Sequence, residues 1–166
     1  MSIMLPGELA HFLQMIGFDW PEGDEDKVFA YGQAWSSFAG TLDHAAATGV
    51  QAAHTLASEN VGDAVDAFVQ RFTGDAGPEN AAKNLAQGLT VGGGVITVFA
   101  GAIVALKVVV IAQLVEFAIT FAEAVAAAVP TFGASLSLIP IAELIAQKAI
   151  EFAINYGVQQ LLAGGV

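Results

Sequence analysis

The chain contains no cysteine. A disulfide framework and a thiolate metal site are therefore both excluded. Cationic residues are scarce as well, five Lys and Arg against sixteen Asp and Glu, for a formal net charge of −11. That removes the basic footprint needed to hold nucleic-acid phosphates. It also means that an anionic membrane surface repels the chain unless apolar insertion outweighs the charge. No histidine occurs after His54. Strand patterning is missing too: the β-branched run Val108-Val109-Val110-Ile111 sits inside a long helical period. No internal repeat of 20–50 residues is visible.

What is present is 166 residues, 55% of them hydrophobic, enough to build one ordinary core. The charge is unevenly spread. Twelve of the sixteen acids precede position 81, and residues 81–166 hold only Glu116, Glu123, Glu143 and Glu151 with Lys83, Lys107 and Lys148. The chain thus divides into an acidic region, 1–77, and an apolar region, 78–166, packed together as one structural unit. The start, Met1-Ser2-Ile3-Met4-Leu5-Pro6, has no basic segment, and Glu8 interrupts any apolar run, so no cleavable signal peptide is expected.

The break at Asn60-Val61-Gly62 organises the acidic region. Upstream of it, Val28, Tyr31, Trp35, Phe38, Leu42, Ala45, Gly49, Ala52 and Leu56 recur in steps of three and four, which predicts one seam on one helix over 24–57. Trp35 is expected in the core on that seam, and Ala46 lies off it. Downstream, Val61, Val65, Phe68 and Phe72 continue the spacing on a helix over 62–73. Two helices joined by a tight Gly-containing turn form an antiparallel hairpin. Before it, residues 6–17 predict a short amphipathic helix, and Trp20-Pro21 lies in a loop.

After Gly74 and Gly77, Pro78 suits the opening of a helix-rich stretch over 79–129. Gly92-Gly93-Gly94 is its soft point, at about 3 kcal/mol of lost helix propensity relative to Ala. A helix boundary, a kink or a close helix crossing is expected there. Pro140 is expected to open a last helix over 140–162. These two helices carry only narrow polar stripes, Gln113, Glu116, Thr120 and Glu123 on one, Glu143, Gln147, Glu151, Asn155 and Gln159 on the other. The rest of their circumference must be covered by other helices, another chain or lipid. Residues 84–106 and 124–142 are uncharged. The first run is long enough to span a bilayer, but the glycines, Pro130 and Pro140 interrupt these stretches and flanking basic residues are few, so buried bundle helices fit better.

Catalytic patterns are lacking. His11, His44 and His54 have no partner at the spacing of a helical metal pair. Asp24-Glu25-Asp26 lacks Ca-loop spacing and reads as an acidic helix start. The three glycines are followed by no Lys-Ser/Thr, which rejects a phosphate loop. Ser135 and Ser137 have no histidine downstream for a triad.

The order of several motifs resembles a known group. Trp20-Pro21-Glu22-Gly23-Asp24-Glu25-Asp26, then Ala34-Trp35, then Gly62-Asp63-Ala64-Val65-Asp66-Ala67-Phe68, then Pro130-Thr131-Phe132-Gly133-Ala134-Ser135 with Ile139-Pro140, is similar to the N-terminal helical domain of actinobacterial polymorphic toxins. That domain is related to the Trp-x-Gly proteins exported by type VII secretion, and to the N-terminal domain of the mycobacterial channel and necrotizing toxin. The turn departs from the pattern, with Asn60 at the Trp position, and no Tyr-x-x-x-Asp/Glu export signal follows, since Tyr156 precedes Gln160.

Together these readings predict an all-α bundle, built on a long antiparallel helix hairpin plus two apolar C-terminal helices. The resemblance implies a non-catalytic export and partner-recognition module of a secreted toxin-like protein, with no cofactor or metal. Its partner would be a small helical relative or a second copy, besides the secretion machinery. It would be secreted or cell-surface by a non-classical route. A membrane-inserting or pore-forming segment is the alternative. Trp20, Val109 and Ile154 are the interaction candidates, and the self-association surface is expected within 91–162.

Overall fold

In a computed structural model describing residues 2–164, five helices follow one another: α1 (Gly7–Met15), α2 (Glu25–Glu59), α3 (Asp63–Thr73), α4 (Pro78–Ala126) and α5 (Leu138–Gly164). A 3-10 turn at Ala134–Ser137 precedes α5, and no strand occurs among the described residues. The fold is an all-α helical bundle.

Local chemistry sets the helix ends. Asp24 caps α2, its Oδ1 accepting the Lys27 backbone N–H at 3.1 Å. That hydrogen bond holds the Asp24 carboxyl below its usual range. At the far end Asn60 Nδ2 donates to the Leu56 carbonyl at 3.0 Å. Gly62 then takes φ 129°, a conformation that side chains disfavour, and its carbonyl accepts the first N–H groups of α3, from Val65 and Asp66. Pro78 occupies the first position of α4, as its missing N–H permits. Pro140 falls in the first turn of α5, which opens two residues earlier than the sequence suggests, and α4 stops at Ala126 rather than near 129.

Contacts divide the chain into two compact units, one running up to Val28 and resuming at Val98, the other Phe29–Thr97. Within Phe29–Thr97, the buried residues of α2 are Gly32, Ala39, Ala46 and Ala53, each seven after the last. On α4 they are Ala86 and Gly93, again seven apart. A seven-residue period keeps one line of a helix against its neighbour. Here the line is made of small side chains, so the backbones come close. A Cβ on Gly93 would lie 2.8 Å from the Gly32 carbonyl oxygen and 2.7 Å from Ser36 Oγ. Gly92 lies under the Trp35 ring, and Gly32 faces Thr97, so the two helices run antiparallel. Phe72 packs on Gly49, closing α3 back onto α2. Of the three outcomes expected at Gly92-Gly93-Gly94, the close crossing is found, and α4 passes through without a boundary.

The same packing corrects the expected seam. Trp35 is 43% exposed, Tyr31, Phe38 and Phe68 are also exposed, and Val28, Leu42 and Phe72 are half-buried. Ala46 is buried at 6%. Large apolar residues flank the contact because close backbones leave no room for them between the helices.

In the other unit, Leu13 of α1, Ile16 just past its end, Val110, Leu114 and Phe117 of α4, and Ala146 and Ile150 of α5 form one buried cluster. Phe12 meets Phe117 and Phe121 edge-on at 5.7 and 5.6 Å. The polar stripe of α5 is partly turned inward: Glu143 and Gln147 are half-buried, and Gln147 Nε2 donates to the Ile16 carbonyl at 3.1 Å. That bond satisfies a carbonyl left open at the end of α1.

Adjacent glycines should therefore respond oppositely. Gly94 has open space around a would-be Cβ, so Gly94→Ala should stabilise by about 0.5–1 kcal/mol through helix propensity. Gly93→Ala should destabilise despite the same propensity gain, because backbone must move. Urea unfolding midpoints of the two variants check this.

Candidate interaction surfaces

The most polar feature lies in the middle of the most apolar helix. Lys107 is 1% exposed, and its ammonium donates to Glu25 Oε2 at 2.6 Å, the Gly23 carbonyl at 2.7 Å and Ser2 Oγ at 3.1 Å. All three N–H donors are used. Ser2 Oγ donates onward to Glu25 Oε2 at 2.9 Å, and the Ile3 backbone N–H donates to Glu25 Oε1. The Trp20 ring lies 5.7 Å from Nζ, close enough for a cation–π contact. The Lys107 ammonium, and after it the Ile3 N–H, hold the Glu25 carboxyl at about 2, against the upward push of desolvation. The cluster ties the N-terminal segment, the loop before α2, the start of α2 and α4 together.

Beside it, α4 and α5 leave a groove of about 710 Å³. Gly101, Ala105, Ala149, Ala153 and Gly157 are among its small lining residues, and Phe152 and Tyr156 stack at its edge with ring centroids 6.3 Å apart. No charged residue lines it. Val109 lines this groove half-buried, whereas Ile154 is exposed on α5 outside it. Ile141, Leu144, Ile145, Phe152 and Val158 are exposed on the same helix. Trp20 is half-buried against the core cluster and over Lys107, so its packing is internal. Asn60, Val61 and Gly62 form the α2–α3 turn, with Val61 almost fully exposed.

The sequence reading missed the Lys107 cluster. Its signal was present: Lys107 is the lone charge between Lys83 and Glu116, and a lone charge on an apolar helix needs a partner. His11, His44 and His54 are exposed. Ser135 Oγ donates to the Ala124 carbonyl at 2.7 Å, a structural bond. Among the described residues no group of three or more His, Asp or Glu is placed to hold a metal.

These features define an all-helical bundle with an uncharged apolar groove between α4 and α5. The chain matches the WXG100-like domain over residues 6–148, most of its length, and so belongs to that family. It is thereby a helical protein related to type VII secretion and its export, in a family that is typically non-catalytic and whose members generally pair with helical partners or with themselves. No curated protein and no solved structure matches it.

Removing one member of the buried pair should be costly. Lys107→Met is expected to lower the urea unfolding midpoint clearly, because Glu25, little exposed to solvent, is left without its counter-charge. The double variant Lys107→Met, Glu25→Leu should recover much of that loss in urea unfolding. The pH dependence has a definite sign. The folded value of Glu25 is depressed, so its contribution is full above the unfolded value of 4.5 and is lost as pH falls through about 2. The stability difference between the wild-type chain and Glu25→Gln should stay constant above about pH 5 and shrink below it.

Proposed function

We propose that this chain is a non-catalytic export and partner-recognition module of a type VII-secreted, toxin-like protein, acting by helix–helix association. The observation that carries the reading is the uncharged groove between α4 and α5, continued by the exposed apolar side chains of α5. Small residues on both of its walls allow another helix to approach closely, and apolar patches of this kind usually mark an interaction site. The partner is a small helical relative or a second copy, and the secretion machinery reads the assembled form. The module works outside the cytoplasm, secreted or at the cell surface by a non-classical route.

The rival reading, insertion of α4 in a bilayer, is favoured by an 18-residue window with mean hydropathy 2.6 of which only 17% is buried. Release of dye from vesicles tests that rival.

Association is tested by light scattering on the purified chain at tens of micromolar. An assembled species is expected, and a clean monomer without partner or detergent would sink the self-association arm. Val109→Glu and Ile154→Glu should each weaken assembly at least tenfold. Ala52→Glu, on an exposed position of α2, should leave it unchanged.

A further inference from the structure

The connection between α4 and α5 has an unusual division of polar and apolar groups. From residue 124 to 142 there is no charged side chain. Phe132 is 100% exposed and Val129 86% exposed, with Val125, Leu136 and Leu138 also exposed beside them. Phe132 is held at φ 51°, a left-handed conformation uncommon for a bulky side chain, and Gly133 follows at φ 85°.

The polar side chains of this corner are hydrogen-bonded within it, Thr131 and Ser137 at the surface and Ser135 half-buried. Thr131 Oγ1 donates to the Ala127 carbonyl at 2.6 Å, Ser135 Oγ to Ala124 at 2.7 Å, and Ser137 Oγ to Ala134 at 2.8 Å. The backbone N–H groups of Ala127, Ala128, Thr131, Phe132, Gly133, Ala134 and Leu136 donate to carbonyls of the same corner, and Ser135 N–H donates to Thr131 Oγ1, so that Val129 N–H is the one left for water or a headgroup. A loop exposed to water has no need to satisfy its backbone internally or to display a phenylalanine. A loop that enters hydrocarbon needs the first, since water is absent there, and gains from the second.

We propose that the α4–α5 corner is a membrane-docking tip that dips Val129, Pro130 and Phe132 into the surface of an electrically neutral bilayer, without any helix spanning it. Lipid is the occupant rather than protein because what the corner offers is protruding side chains, Phe132 and Val129. A stable protein interface buries on the order of 1,000 Å² or more with matched shape, whereas lipid closes around a protrusion. Neutral lipid follows from the charge of −11. The inference rests on different side chains from the helix-pairing reading, which uses the groove lined by residues 98–109 of α4 and 149–157 of α5.

The test is flotation of the full chain with phosphatidylcholine vesicles. The wild-type chain should float, and Phe132→Asp and Val129→Asp should each lower the partition coefficient about tenfold or more, the scale of one buried apolar side chain. Folding is not confounded, since Phe132 is wholly solvent-exposed and Asp tolerates a left-handed backbone; unchanged helical circular dichroism confirms it. Emission from Phe132→Trp should be quenched more by lipids brominated near the headgroup than by lipids brominated at the chain ends, with no dye release. Flotation of the variants equal to wild type, or failure of the wild-type chain to float, overturns the proposal. So does deeper quenching by chain-end bromines, which would mean spanning. Loss of assembly in Phe132→Asp without lipid would show that protein covers the tip, and overturns it as well.

Discussion

An ammonium group buried in an apolar helix is the constraint on which much of this structure rests. Lys107 cannot stay charged inside the bundle without partners, and it finds three, the Glu25 carboxylate, the Gly23 carbonyl and the Ser2 hydroxyl. Satisfying it fixes the chain from Ser2 to Glu25 against the middle of α4. The start of α1 is thereby positioned, and with it Leu13 and Ile16 at the centre of the buried cluster. Such a pair contributes little net stability relative to apolar residues of equal volume, but it leaves few alternatives to the observed register. Among the described residues no buried side-chain polar atom is left without a partner, so the arrangement is complete.

A second constraint acts on Phe29–Thr97, where the helices touch through glycine and alanine. Dispersion attraction falls steeply with distance, so backbones in near contact compensate for the small side chains. Tyr31, Trp35 and Phe38, displaced from the contact, remain on the surface. On α4 and α5 the small residues have the other effect: Gly101, Ala105, Ala153 and Gly157 leave a groove that no described residue fills. One residue class thus makes a closed crossing in one place and an open surface in another. What differs is whether a facing backbone is present.

An open apolar groove is in keeping with membership in a family whose helical domains generally pair. The acids are concentrated in the first 80 residues, and the uncharged groove lies in the later, apolar region.

The helices themselves were legible from the sequence. The turn at Asn60-Val61-Gly62, the proline at the start of α4 and the lack of strand patterning follow from local backbone chemistry, which acts within a few residues. The buried line of α2 was only partly legible: hydrophobic periodicity pointed at Trp35 and Phe38, while the buried line ran through Gly32, Ala39, Ala46 and Ala53. Periodicity gives the helix and its period, but bulk misleads about the face when the contact is made by backbones. The run Gly92-Gly93-Gly94 read equally as a break, a kink or a crossing, and only the opposing Gly32 and Ser36 decided it. Lys107 could be seen to need a partner, yet Glu25 lies 82 residues away, and no local rule couples positions so far apart. The sequence by itself determined the elements, their ends to within two or three residues, and the division of charge. The tertiary structure decided which faces are shared, which are left open and where the buried charge is neutralised, because each of those depends on what stands opposite.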